Sequence, residues 1–320
     1  MPNRHPFRYI FGPVPSRRLG RSLGVDLTPH KTCSFDCVFC QLGAGFDTTV
    51  ARGECVSLRD VQEELTRWLR EDGEADWITL SGSGEPTLHA GFGDLIEFAR
   101  EQSALPVALL SNGSLFSEPA VRASAAKANL VKVSLSAWDA ASFARVNRPH
   151  SSLDFDAIVQ GYREFRSGFS GTLWVEVFLV PGLNTRPQDV QRIAALVRSL
   201  HPDSVQLNTA VRPPAETFVQ PAGPDELRNL AALFDPPAEI IARFQSGPAP
   251  ASRHELAGET VLALLRRHPD TAENIAAMAG RPLPDVLPVL QSLLDDGKAR
   301  IETVAGQPLY RANAKAASGA

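Results

Sequence analysis

The chain has 320 residues, 43% of them apolar and 21% charged, with only four cysteines. That length buries roughly three-quarters of the unfolded surface without disulfide staples and suggests about two domains. Thirty-two basic against 36 acidic residues, a net charge of −4, exclude binding to nucleic acid by net charge alone. No apolar run approaches the roughly 18 residues of a membrane span, and the first residues lack the apolar core of a signal peptide, so a cytoplasmic protein is expected.

Residues 1–22 read as a basic N-terminal arm carrying Arg17, Arg18 and Arg21. These arginines suit a phosphate or carboxylate on a substrate, or simply a solvated arm. Residues 23–27 form a short apolar run that ends in Thr28-Pro29 and predicts a strand. Leu58, Val61, Leu65, Trp68 and Leu69 recur at helical spacing over 58–70. Strands are then predicted at 77–80, 107–110, 130–135, 172–180 and 204–207. Between them helices are predicted at 92–100, 118–126, 154–166 and 187–200, with Asp154 as an N-cap, and a last helix at 225–234. This alternation predicts an α/β core over 1–240 with a parallel sheet and crossover helices.

Residues 241–254, rich in Pro, Ala and Gly, read as a linker. Three short helical patterns follow, at 255–267, 271–279 and 284–294, and then a two-stranded wing at 299–304 and 308–311. The region 255–312 thus reads as a small winged-helix-like α+β module, and 313–320 as a flexible tail. Residues 255–320 hold seven Lys/Arg against eight Asp/Glu, and the helix at 284–294 has no basic residue. A DNA reader needs phosphate contacts, so DNA binding by this module is not expected.

Cys33, Cys37 and Cys40 lie within eight residues, spaced C-x3-C-x2-C. In a reducing compartment such clustering points to a metal or to redox chemistry. Zinc is one reading, with His30 completing a site of three cysteines and one histidine in a binding or regulatory protein. An iron–sulfur cluster is the other, and three thiolates would leave one of four irons open for chemistry. Cys55 stands alone and reads as a small buried hydrophobe. Polar strings follow the predicted strands: Ser81-Gly82-Ser83-Gly84-Glu85-Pro86, Ser111-Asn112-Gly113, Ser136-Ala137-Trp138-Asp139, Asn184 and Asn208-Thr209. They gather at the C-terminal edge of the sheet, where α/β folds bind ligands.

The cysteine spacing with Phe39 before the last cysteine, followed by Gly84-Glu85-Pro86, resembles the radical S-adenosylmethionine (radical SAM) superfamily. The resemblance implies an incomplete (β/α)6-type barrel. It implies a 4Fe–4S cluster on Cys33, Cys37 and Cys40 with S-adenosylmethionine on the open iron. The expected reaction is reductive cleavage of that cofactor to a 5′-deoxyadenosyl radical, which abstracts hydrogen from a substrate, with RNA or peptide modification as the outcome. It assigns Gly84 and Glu85 to the methionyl amino group and Phe39 to the adenine. Ser83 stands where the family's motif has its first glycine. Asn112 and Ser136 resemble positions near the ribose and carboxylate, Arg148 one near the carboxylate, and Asn184 and Asn208 looser strand-end contacts. Other roles suit some of them: a turn for Asn112-Gly113, helix caps for Ser136 and Asn184, a surface ion pair for Arg148. The superfamily's chemistry also implies a flavodoxin- or ferredoxin-like electron donor. The segments 11–24, 33–41, 81–87, 147–149 and 207–214 further resemble a subgroup similar to the wybutosine-pathway tRNA enzymes.

Overall fold

The apolar run at 23–27 belongs to the second half of a hairpin. In the computed structural model, β1 (Ile10–Ser16) pairs antiparallel with β2 (Gly20–Val25), Ile10 opposite Val25 and Ser16 opposite Gly20. Residues 7–22 are therefore not an arm. Tyr9, Ile10 and Phe11 are buried, and Glu64 of α1 (Leu58–Glu71) accepts the backbone N–H groups of Arg8 and Tyr9, each at 2.8 Å. Pro13 and Pro15 argue against a strand, yet β1 lies at the sheet edge, where no outer neighbour needs their missing N–H groups. The structure describes residues 7–16, 18–29, 31–71, 74–242, 258–267, 269–279, 281–304 and 307–313.

From β2 to β8 each strand of this sheet is parallel to the last. β3 (Trp77–Leu80), β4 (Val107–Leu110), β5 (Leu130–Ser134), β6 (Thr172–Phe178), β7 (Ser204–Asn208) and the two-residue β8 (Glu239–Ile240) extend the sheet in chain order. Their crossovers carry α1, α2 (Phe92–Gln102), α3 (Pro119–Ala125), α4 (Ala140–Asn147), α5 (Phe155–Gly168), α6 (Pro187–Arg198) and α7 (Pro224–Ala231). This is the expected α/β, incomplete-barrel class. β8 is an addition to the predicted series.

Helix α4 is also unpredicted. Asp139 caps it: its carboxylate accepts from Ser142 N–H at 2.8 Å, and the Ser142 hydroxyl accepts from Asp139 N–H at 3.0 Å. Phe143 and Val146, three apart, supply its buried face. Asp154 caps α5 as expected, accepting from Ala157 N–H at 2.8 Å.

Alternation within strands separates two layers. Val25, Ile78, Leu80, Val107, Leu109, Val131, Val133, Val175, Val177 and Leu207 pack under the helices in one continuous core. The opposite, inner face is apolar at one end, where Leu19, Ala108 and Leu130 meet Trp77 and Trp174. Farther along it is polar. Lys132 pairs with Glu176, which also accepts from Asn208 Nδ2 at 3.0 Å, and Ser22 bonds Thr79 at 2.6 Å.

The C-terminal residues form α8 (Gly258–Arg267), α9 (Ala272–Ala279) and α10 (Leu283–Asp295), then the antiparallel hairpin β9 (Ala299–Val304) and β10 (Gln307–Ala312). Val261, Leu265, Ile275, Val286 and Leu290 make a separate small core, against which Val14 of β1 also packs. The predicted linker lies outside the described residues from 243 on, as does the predicted tail from 314. Among the described residues no helix is long and apolar enough to cross a membrane.

Candidate active site

Between β2 and α1 the chain runs from 26 to 57, with no helix or strand among the described residues. A segment that long must find partners for its backbone elsewhere. It finds them in two loops at the C-terminal edge of the sheet. Thr32 forms a parallel bridge with Gly84, and the Thr32 carbonyl accepts from Glu85 N–H at 2.9 Å. A Cβ on Gly84 would overlap that carbonyl oxygen and lie 2.8 Å from Thr28 Oγ1, so only glycine fits. The return leg bridges Gly53 to His89, and Arg52 donates to the Thr87 and Ala90 carbonyls at 3.0 and 3.3 Å. The cysteine stretch itself lies along 146–150. Asp36 N–H donates to Arg148 O, Val38 N–H to Val146 O, and His150 N–H to Ser34 O, at 2.9–3.1 Å. The string Asn147-Arg148-Pro149 is thus a backbone splint for the cysteines.

Asp26, which the sequence reading passed over, joins the first two loops. It is buried at the end of β2 and accepts from Ser83 Oγ at 2.6 Å, Ser83 N–H at 3.1 Å and Thr28 N–H at 3.2 Å. This gives Ser83 a role in place of the motif's first glycine: it anchors the Gly84-Glu85-Pro86 turn to β2. Gly82 has φ +146°, and a Cβ there would lie 2.6 and 2.7 Å from the Asp26 carboxylate oxygens.

Glu85 is buried and joins its own turn to the loop after β4. Its Oε1 accepts from Thr87 N–H at 3.0 Å, Thr87 Oγ1 at 2.6 Å and Ser111 Oγ at 2.7 Å; its Oε2 accepts from Asn112 N–H at 2.6 Å. Desolvation raises its pKa, while those four donors oppose the rise. Asn112 faces the cysteines, its Nδ2 2.9 Å from Ser34 Oγ and 3.5 Å from Cys33 Sγ. Tyr162 steadies this loop from below, donating toward the Asn112 and Ser134 carbonyls at 3.0 Å each.

The three cysteine sulfurs are free and lie among protein atoms. Burial pushes the Cys33 thiol up to about 12, with the Glu85 charge adding to it. Cys37 and Cys40 are raised for the same first reason, and the three act on one another. Cys37 Sγ receives a hydrogen bond from Asn147 Nδ2 at 3.3 Å. The buried Lys31 ammonium donates to Asp36 Oδ1 at 2.5 Å and to the Gly43 carbonyl, and its charge favours the thiolates of Cys37 and Cys40. Among the described residues no three His, Cys, Asp or Glu side chains converge on one metal ion. The three thiols are close enough for their charges to act on one another, which suits a cluster whose irons each take one thiolate. Soft thiols that burial keeps protonated, with amide donors and a cation beside them, fit a cluster that displaces their protons on binding.

The other expected contacts divide. Phe39 is half-buried and stacks on Phe178, ring centroids 3.9 Å apart, so one of its faces is taken. Ser136 accepts from Phe178 N–H at 2.9 Å and caps no helix; Asp139 has that role in α4. Asn184 lies in the loop after β6. It is fully buried, its Nδ2 donates to the Ser136 and Phe178 carbonyls at 2.8 Å, and its Oδ1 accepts from Val180 N–H at 2.7 Å. Its amide ties strand ends together. Asn208 points to Glu176 on the inner face. Arg148 pairs with Glu216 and lies 3.9 Å from Asp36. Arg21 is at the opposite end of the sheet, on Asp76 and Glu74 at 3.2 and 3.4 Å, and Arg18 lies over the Trp174 ring. Arg17 and His30 fall outside the described residues. Cys55 is half-buried, 4.0 Å from the Gly53 carbonyl.

Residues 27–197 match the radical SAM superfamily. A protein of Helicobacter pylori named UPF0026 protein is 31% identical over 306 residues, covering 94% of this chain and 96% of that protein. A protein of Brachyspira hyodysenteriae named GTPase Obg is 35% identical over 306 residues; the match takes 95% of this chain and 45% of that protein, so the chain spans less than half of that relative. Among solved structures, TYW1 with a lysine-pyruvate adduct bound superimposes with a TM-score of 0.53 at 17% identity, over 69% of this chain and 76% of that one. That likeness is one of fold. Members of the superfamily are enzymes that bind a 4Fe–4S cluster and S-adenosylmethionine. The chain belongs to the radical SAM superfamily and, within it, to the family of the UPF0026 proteins.

Proposed function

We propose that Cys33, Cys37 and Cys40 hold the 4Fe–4S cluster and that the chain acts on an RNA or peptide substrate placed against the inner face of the sheet. The observation that carries the first part is the lacing of the cysteine stretch to the Gly84-Glu85-Pro86 loop and to 146–150, which holds three half-buried cysteines within reach of one another. When bound, the cluster and S-adenosylmethionine supply reductive cleavage of the cofactor and hydrogen abstraction from the substrate. The protein's residues orient and enclose. Asn112 and Asn147 direct N–H groups at two of the sulfurs. Gly84 and Glu85 form the turn beside Cys33 that would receive the cofactor's amino group, and Phe39 presents its free face toward the adenine. Electrons arrive from an external flavodoxin- or ferredoxin-like donor.

The polar part of the inner face supports the substrate reading. Lys132, Glu176 and Asn208 offer an ammonium, a carboxylate and an amide side by side. Gln206, paired in register with Glu176 and so on the same face, is buried with neither amide atom bonded. An unmade buried amide bond costs about 1–3 kcal/mol. A planar edge with adjacent donor and acceptor, as in a nucleobase or a peptide bond, suits the partly exposed Lys132, Glu176 and Asn208 beside Gln206.

The test is anaerobic loading of the chain followed by incubation with S-adenosylmethionine, dithionite and either total RNA or a peptide digest in deuterated and ordinary form. Deuterium appearing in 5′-deoxyadenosine from one pool identifies the substrate class. Transfer from neither pool overturns the substrate reading, and one bound zinc with no iron overturns the cluster reading.

A further inference from the structure

The C-terminal elements reach the chain immediately after the third cysteine. Arg311, on β10, donates through Nη2 to the Gln41 carbonyl at 2.6 Å and to the Pro213 carbonyl at 3.3 Å, while its Nη1 is 3.4 Å from Glu302 Oε2. Arg212, in the loop after β7, donates through Nη1 to Gln41 Oε1 at 3.4 Å and through Nη2 to Asp270 Oδ2 at 2.7 Å. Asp270, between α8 and α9, is buried, and its other oxygen accepts from Asn274 Nδ2 at 2.6 Å and Thr271 N–H at 3.0 Å. Its backbone pairs in both directions with Tyr310, the neighbour of Arg311, at 2.8 and 3.2 Å. Asp270 therefore fixes both the barrel's Arg212 and the hairpin that carries Arg311, and the two arginines hold Gln41 from two sides.

We propose that Arg311 is a positioning residue for the third cysteine: it ties the Gln41 carbonyl, keeps a cation beside Cys40, and so makes the C-terminal hairpin a wall of the cluster chamber. The module is then neither an appended reader nor a spacer. A guanidinium stays charged at every working pH, and its planar fork spans two carbonyls and a carboxylate, which an ammonium cannot do at once. A fixed cation near an iron–sulfur cluster favours its reduced, more negative state, and covering one side limits solvent access; both set the potential. The charge interaction between Arg311 and Cys40 agrees with this placement. This inference rests on the proposed ligation by Cys33, Cys37 and Cys40.

The experiment uses the full chain, loaded anaerobically with iron and sulfide, as wild type, Arg311→Gln, Arg311→Lys and Asp270→Asn. It reads bound iron, the midpoint potential by EPR-monitored titration, and the rate at which the brown absorbance bleaches in air. Arg311→Gln is expected to move the midpoint to more negative values and to bleach several-fold faster. Arg311→Lys should restore the midpoint but not the slow bleaching, a split that a merely structural arginine would not give. Should Arg311→Gln fail to fold, Asp270→Asn, which keeps the charge at 311 but frees its anchor, must by itself bleach faster than wild type. A loaded Arg311→Gln with wild-type midpoint and bleaching overturns the inference, as does an Asp270→Asn identical to wild type. A wild type that takes up no iron overturns the ligand assignment instead.

Discussion

At the scale of single residues the site depends on atoms with no room to move. Gly84→Ala would push a methyl group into the Thr32 carbonyl and separate the cysteine stretch from the Gly-Glu-Pro turn. Overpacking of this kind costs about 1–3 kcal/mol, so thermal unfolding should show a lower Tm, and the variant should retain less iron after loading. The thiols make a second prediction. Burial raises the Cys33 pKa to about 12, above that of an unfolded thiol near roughly 8.5. The folded state of the cluster-free chain therefore favours the thiol. Its stability is fully present below the unfolded value and falls as pH rises above it, because the unfolded chain ionises first. Tm of the cluster-free protein should drop from about pH 8.5 upward, and Cys33→Ala should flatten that drop. The cysteine triad and Glu85 are legible in the sequence because their spacing is local. Asp26 and Asn147 are not. A lone acidic residue at a strand end and an asparagine in a helix's last turn acquire meaning only when Ser83 and Cys37, far away in the chain, fold against them.

At the scale of elements, α4 connects local stability to the site, since its last turn delivers Asn147 and leads into the Arg148 splint. The Asp139 pKa is lowered, first by the Ser142 N–H it caps and then by the Ser142 hydroxyl and Arg192. A depressed carboxylate contributes stability above its unfolded pKa and loses it as pH falls through its folded value. Asp139→Ala should cost about 1 kcal/mol at neutral pH, as lost N-caps do, and the gap to wild type should close below about pH 4. Equal denaturant midpoints at pH 7 would contradict this. Most parallel strands and their helices were readable from apolar runs and helical periodicity. β1 was not, because its prolines speak against a strand and only the edge position makes them harmless. β8 was missed because two residues carry no periodicity, and α4 because half of its buried face is polar, Ser142 and Asn147 beside Phe143 and Val146.

For the whole molecule, the sheet, the cysteine stretch and the C-terminal hairpin act as one chamber. Its parts come from positions as far apart in the chain as Cys33, Asn147 and Arg311, and the loop between β2 and α1 takes backbone partners from the 84–90 and 146–150 segments. Anything that binds the folded state alone stabilises it by linkage, so the loaded chain should melt well above the same chain stripped with a chelator under anaerobic conditions. The C-terminal pattern of three helices and a wing was visible in the sequence; its docking beside Cys40 was not, since Arg311 and Gln41 are 270 residues apart. The most direct test of the account is formation of 5′-deoxyadenosine by the anaerobically loaded chain with S-adenosylmethionine and dithionite, measured beside Cys37→Ala. The account predicts product from wild type and only background from Cys37→Ala. A wild type that carries its iron and sulfide yet yields no more 5′-deoxyadenosine than Cys37→Ala would contradict it.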